Sequence, residues 1–92
     1  MIEVRHEAGD VWMVTVQGSV QTRHRVRVAK ADLDRLAEGR TPEDLLQASF
    51  QFLLEQEPNT SILASFDLPL ISHYFPEYER EIRIRLRQIG DS

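Results

Sequence analysis

Three sets of side chains in this sequence have chemical reach: His6, His24 and His73; the acidic pair Glu55 and Glu57 with the triplet Glu77, Glu79 and Glu81; and Arg23, Arg25 and Arg27 at alternate positions. Histidine binds metals or moves protons near neutral pH. No two of these histidines stand at the spacing of a metal motif. Acid–base work by carboxylates needs a cleft that drives their pKa values apart. Here the acids are expected at a helix end, and in a helix that carries its own arginine partners. The four glycines are isolated, so no phosphate loop is present, and Ser49 has no nucleophile-elbow context. With no cysteine, thiolate zinc sites, thiolate nucleophiles and disulfides are excluded. The expectation is a chain without metal, cofactor or catalytic site, and not an enzyme.

The alternating arginines need a strand to align them. Residues 1–29 predict a three-stranded antiparallel meander, with strands Ile2–Ala8, Val11–Gln17 and Val20–Ala29, rich in β-branched residues. Gly9-Asp10 and Gly18-Ser19 fit two-residue turns with glycine first. Such turns fix the register. Paired residue numbers sum to 19 in the first hairpin and to 37 in the second. His6 then faces Met13, which faces His24, with the two histidine Cα atoms on the order of 10 Å apart. One face of the sheet collects Ile2, Val4, Ala8, Val11, Met13, Val20, Val26 and Val28 and is assigned to the core. The other carries Glu3, Arg5, Glu7, Gln21, Arg23, Arg25 and Arg27 around a central stripe of Trp12, Val14 and Val16. Trp12, Val14, Val16, Arg23, Arg25 and Arg27 are therefore the candidate interaction face, partly apolar and rimmed by charge.

Residues 30–92 read as the helical part of the same single domain. Lys30–Glu38 is a short helix ended by Gly39, with Leu33, Leu36 and Ala37 inward. Thr41-Pro42-Glu43-Asp44 opens the central helix, with Thr41 as cap and Pro42 at the first helical position. It runs to about Gln56, where Pro58-Asn59 stops it. Leu45, Leu46, Ala48, Phe50, Phe52, Leu53 and Leu54 leave it only a narrow polar stripe, so it belongs in the core. Two short helical pieces follow, Ser61–Phe66 and Leu68–Phe75, the second capped by Asp67. Tyr74, Phe75 and Tyr78 are expected to close the core. Glu77–Ile89 fits two periods. Tyr78, Ile82, Leu86 and Ile89 make a helical stripe, whereas Ile82, Ile84 and Leu86 alternate with arginines as in a strand. The pairs Glu79–Arg83 and Glu81–Arg85, acid first, favour helix. The fold class is α+β: an N-terminal meander packed by C-terminal helices.

The chain carries 15 acidic and 11 basic side chains, a net charge of −4, which disfavours nucleic acid as a main partner. Residues 41–79 hold seven acids and no Lys or Arg, and residues 80–92 hold four arginines. These segments can pair within the chain or between copies, or form a solvated acidic face. The N-terminus lacks the apolar core of a signal peptide, and no apolar run reaches membrane length, so no membrane partner and a cytoplasmic location are expected.

Two resemblances add to this. The segment His24-Arg25-Val26-Arg27-Val28, followed by Leu33, Leu36, Gly39 and the capped helix, resembles the ribbon-helix-helix repressors and antitoxins over about residues 22–56. It implies DNA contacts through Arg23, Arg25 and Arg27. Arginines on an exposed strand also serve simply to block edge-to-edge aggregation. The segments Ser49–Pro58, Ser61-Ile62-Leu63 and Tyr74-Phe75-Pro76-Glu77-Tyr78 resemble a group of small uncharacterised bacterial proteins. That resemblance implies a bacterial source and no activity. The expected function is a small non-catalytic interaction or regulatory module whose partner is itself, as a homodimer, or another protein. The alternative is a ribbon-helix-helix-like DNA-binding regulator or antitoxin, and a distant one is an enzyme with no recognisable motif.

Overall fold

The structure is a computed structural model that describes residues 1–90, with the side chain of Ile89 outside the description. It is α+β. Strands β1 (Ile2–Ala8), β2 (Val11–Val16) and β3 (Thr22–Arg27) form the antiparallel meander. Helices α1 (Lys30–Leu36) and α2 (Pro42–Gln56) follow. The chain then returns as a short strand β4 (Ser65–Asp67), parallel to β3, and ends in α3 (Leu70–Tyr74) and α4 (Tyr78–Gly90). Strand order is β1-β2-β3-β4. None of the described helices is long and apolar enough to cross a membrane.

The meander folds in a register different from the expected one. Gly9 takes φ +54, and Ala8 pairs with Val11 as a two-residue turn requires. Glu7 is then an extra residue: His6 pairs with Trp12, and every pair back to Ile2↔Val16 sums to 18. In the second hairpin Val16 pairs with Thr22, all pairs sum to 38, and residues 17–21 form a longer loop. Gly18 does not have a positive φ, so the expected tight turn is absent. A one-residue slip exchanges the faces of a strand, and here the strand exchanged is β2. Trp12, Val14 and Val16 point into the core at 8%, 0% and 2% exposure, while Val11, Met13 and Thr15 turn outward. The strands on either side of β2 sort as expected, with Ile2, Val4, Val26 and Val28 inward and Arg5, Arg23, Arg25 and Arg27 outward. Ala8 and Val20, expected in the core, are exposed. Burial explains the choice. Covering Trp with two Val removes more apolar surface than covering Val, Met and a hydroxyl-bearing Thr, a difference on the order of 2 kcal/mol.

One helical layer covers that face. Thr41 Oγ1 accepts the Asp44 N–H at 3.1 Å and Pro42 opens α2, as its sequence predicts. Leu45, Leu46, Ala48, Phe50, Phe52 and Leu53 of α2 are buried with Leu36, Leu68, Ile71, Tyr78, Ile82 and Leu86 in one apolar cluster. Tyr78, Ile82 and Leu86, four residues apart, settle the last segment as a helix. Ile89, expected on that stripe, lies outside the described side chains. The segment after α2 corrects a further expectation. Ser61–Phe66 is not helical: a 3-10 turn at Asn59–Ser61 leads into β4. Leu68–Phe75 shortens to α3, and Asp67 does not cap it. The fourth strand has only three residues, too few for a periodic signal.

Candidate functional site

Each set of chemically capable residues now has a place. His6 lies at the hairpin end of β1. Its Nε2–H donates to the Gly9 carbonyl at 2.8 Å, and its ring stands 4.5 Å from that of Trp12. His24 is buried on β3 against Phe50. His73 is exposed on α3. His6 and His24 face Trp12 and Val14 rather than sharing Met13. Among the described residues no group of three His, Asp or Glu side chains could hold a metal ion.

The His24 network is structural. Asn59 Nδ2 donates to Val20 O and to Thr22 Oγ1, both at 2.8 Å. Thr22 in turn hydrogen-bonds His24 Nε2, and His24 Nδ1–H donates to Leu63 O at 2.8 Å. The order of donors assigns the proton to Nδ1. This chain of bonds fastens the 59–63 turn to β3 and so positions β4. A second buried pair is equally satisfied: Ser49 Oγ donates to Leu45 O, and Tyr78 hydroxyl donates to Ser49 Oγ, both at 2.6 Å. Burial pushes the Tyr78 phenol far above its ordinary range. It is a locked proton donor, not a nucleophile.

Of the five clustered acids, Glu55, Glu79 and Glu81 are ion-pair partners. Glu55 takes both guanidinium nitrogens of Arg85 at 2.8 and 2.7 Å, Glu38 pairs with Arg87, and Glu79 pairs with Arg35. The hydrogen bonds from these arginines hold the carboxyls of Glu38, Glu55 and Glu79 below the usual glutamate range. A general acid at neutral pH needs the opposite shift. The arginine-rich end thus meets acids of the preceding chain within one molecule.

Of the candidate interaction face, the structure keeps Arg23, Arg25 and Arg27 together on the open side of the sheet and removes Trp12, Val14 and Val16 to the other side. Arg25 is held by Glu7 at 3.0 Å, whereas Arg23 and Arg27 have no acidic partner among the described residues. Met13 and Thr15 replace the expected tryptophan stripe, flanked by Glu3, Arg5, Gln17, Gln21 and Arg23 around a shallow depression. β3 lies between β2 and β4, so it has no free edge for pairing with a second copy.

An apolar groove lies elsewhere. The end of α2, the 59–63 turn, β4 and α3 enclose an open groove of about 430 Å³, floored by Leu53, Ile62, Phe66 and Ile71. Leu63 and Tyr74 stand on it at 50% and 64% exposure, and Glu57 is its one charged lining residue. Sequence reading placed Tyr74 in the core and missed the groove. A signal was present: Leu63, Leu70 and Tyr74 exceed what one short helical layer can bury, in a stretch without a single Lys or Arg. Compared with protein-family models, with curated proteins and with solved structures, the chain matches none.

Proposed function

We propose that this chain is a non-catalytic interaction module that receives a segment of another protein in the groove between α2, β4 and α3. The carrying observation is the apolar groove itself, with Leu63 and Tyr74 left half-exposed or more on its walls. Large side chains kept in water beside a concave apolar surface mark a contact site. Its walls are fixed by the bonds from Asn59 through His24 to Leu63, so little ordering is needed on binding. Glu57, the groove's one charged lining residue, favours a basic group on the partner. Panning short random peptides on phage against the immobilised chain tests this. Enrichment is expected on the native chain and should vanish on Leu63→Glu/Tyr74→Glu, two exposed positions whose change leaves the core intact. Equal enrichment on both, or none on either, sinks the reading.

A second reading rests on a different observation. Arg5, Arg23, Arg25 and Arg27 share one uncovered sheet face, and two of them are unpaired among the described residues. A polyanion such as duplex DNA would meet that flat face.

A further inference from the structure

The groove runs beside an unfinished sheet edge. Arg25 N–H donates to Ala64 O, and Leu68 N–H donates to Arg27 O, both across to β3. Peptide groups alternate in direction along a strand. Those of Ala64, Phe66 and Leu68 are therefore turned toward β3, and those of Ser65 and Asp67 toward the open side, where no backbone partner is found among the described residues. β4 is the terminal strand of the sheet. Phe66 pairs with buried Val26 and lines the groove, whereas Ser65 and Asp67 are exposed beside Arg25 and Arg27.

The geometry points to β-strand addition: the groove takes an extended peptide segment that pairs with the free edge of β4 as a fifth strand. The inference rests on the groove reading above and specifies how the occupant binds. An added strand opposite β4 alternates its side chains as β4 does. Residues level with Phe66 enter the apolar groove, where Leu53, Leu70 and Ile71 await them. Residues level with Ser65 and Asp67 lie on the outer side of the sheet. Charge identifies those positions. Asp67 is exposed and without an ion pair among the described residues, whereas Glu57 lies on the groove side. The complementary segment alternates apolar residues with polar ones, with Lys or Arg only level with Asp67, because Arg25 and Arg27 stand on the same outer side. Main-chain hydrogen bonds supply affinity in this mode, and the alternate pockets supply selectivity. A second copy of this chain is a poorer fit, because copies related by a two-fold axis through β4 would set groove against groove and acid against acid.

The peptides enriched by panning provide the first test. Their consensus should show apolar residues at every second position with polar residues between them. A spacing of three and four would mean a helix in the groove, which overturns strand addition while leaving the groove reading intact. The absence of any enrichment would remove both. The second test uses a synthetic peptide of the consensus sequence in fluorescence anisotropy. Ser65→Pro deletes an N–H that the native sheet does not use, and affinity should fall about tenfold or more, the equivalent of about 1.4 kcal/mol. Ser65→Ala should leave it unchanged. N-methylation of alternate amides in the peptide supplies an independent reading on the unaltered chain: one phase of methylation should abolish binding and the other preserve it. Equal effects of both phases overturn the proposal. So does a solution dimer that Ser65→Pro dissociates, because the occupant would then be a second copy.

Discussion

Asn59 shows how much of this fold hangs on single polar contacts. It is buried, donates twice to the β2–β3 connection and to β3, and its Oδ1 would stand 3.1 Å from a Cβ placed on Gly18. The glycine is there for this close approach rather than for a positive φ, which is why reading it as a turn residue misplaced the second hairpin. Glu79 has a different role. It joins Arg35 of α1, Ser72 of α3 and Arg83 of its own helix, and the Arg35 hydrogen bond lowers its carboxyl pKa most. A carboxyl whose pKa is lower in the folded state leaves the unfolded chain binding more protons, so stability rises with pH. The contribution is complete above about pH 4.3, the ordinary glutamate value, and is lost as pH falls through the depressed one. Glu79→Gln should therefore be less stable than the native chain at pH 7, and the difference should shrink toward pH 3. Urea unfolding of both proteins across that range measures it. A gap that stays constant would show that the carboxylate charge does not matter.

At the scale of elements, β2 carries the sharpest test. Val14 is fully buried in the apolar cluster, and Met13, its neighbour, lies on the open face. Val14→Thr keeps the shape and buries a hydroxyl, costing about 1–3 kcal/mol. Met13→Thr should stay within about 0.5 kcal/mol of the native chain. Denaturant midpoints that reverse this order would restore the register predicted from two tight turns. The contrast also shows what was legible in the sequence. The α2 cap, the α4 stripe and the outward arginines of β3 were all readable, because each is set by spacing within one element. Relative strand register was not, since the bulge at Glu7 and the loop 17–21 are each one decision that inverts a whole strand. The composition of β2 held the corrective: Trp12, Val14 and Val16 bury more than Val11, Met13 and Thr15. β4 and its groove were invisible for another reason. A three-residue parallel strand draws its stability from β3 and from the Asn59–Thr22–His24–Leu63 bonds, none of which is local in sequence.

Across the whole molecule, charge is divided by surface. The sheet's open face presents Arg5, Arg23, Arg25 and Arg27, and the helical side presents the acids of residues 41–79 other than Asp67, with the arginines of α4 largely tied to Glu38, Glu55, Glu79 and Glu81. This separation lets the two functional readings be told apart in one sample. Contacts between four arginines and phosphates would give a plot of log affinity against log salt with a slope of about −3.6, or roughly a hundredfold loss between 50 and 200 mM salt. Arg23→Gln/Arg27→Gln removes the two unpaired charges and should flatten that slope by about 2. Peptide binding in the groove, driven by apolar contact and main-chain bonds, should be nearly indifferent to the same pair of changes. Gel shift at low salt with duplex DNA decides whether the arginine face binds at all. A native chain that produces no shift ends the polyanion reading, and arginines so exposed then serve only to keep an open sheet face in water. Retained DNA binding in the double variant, with an unchanged slope, would place the phosphate contacts elsewhere on the chain.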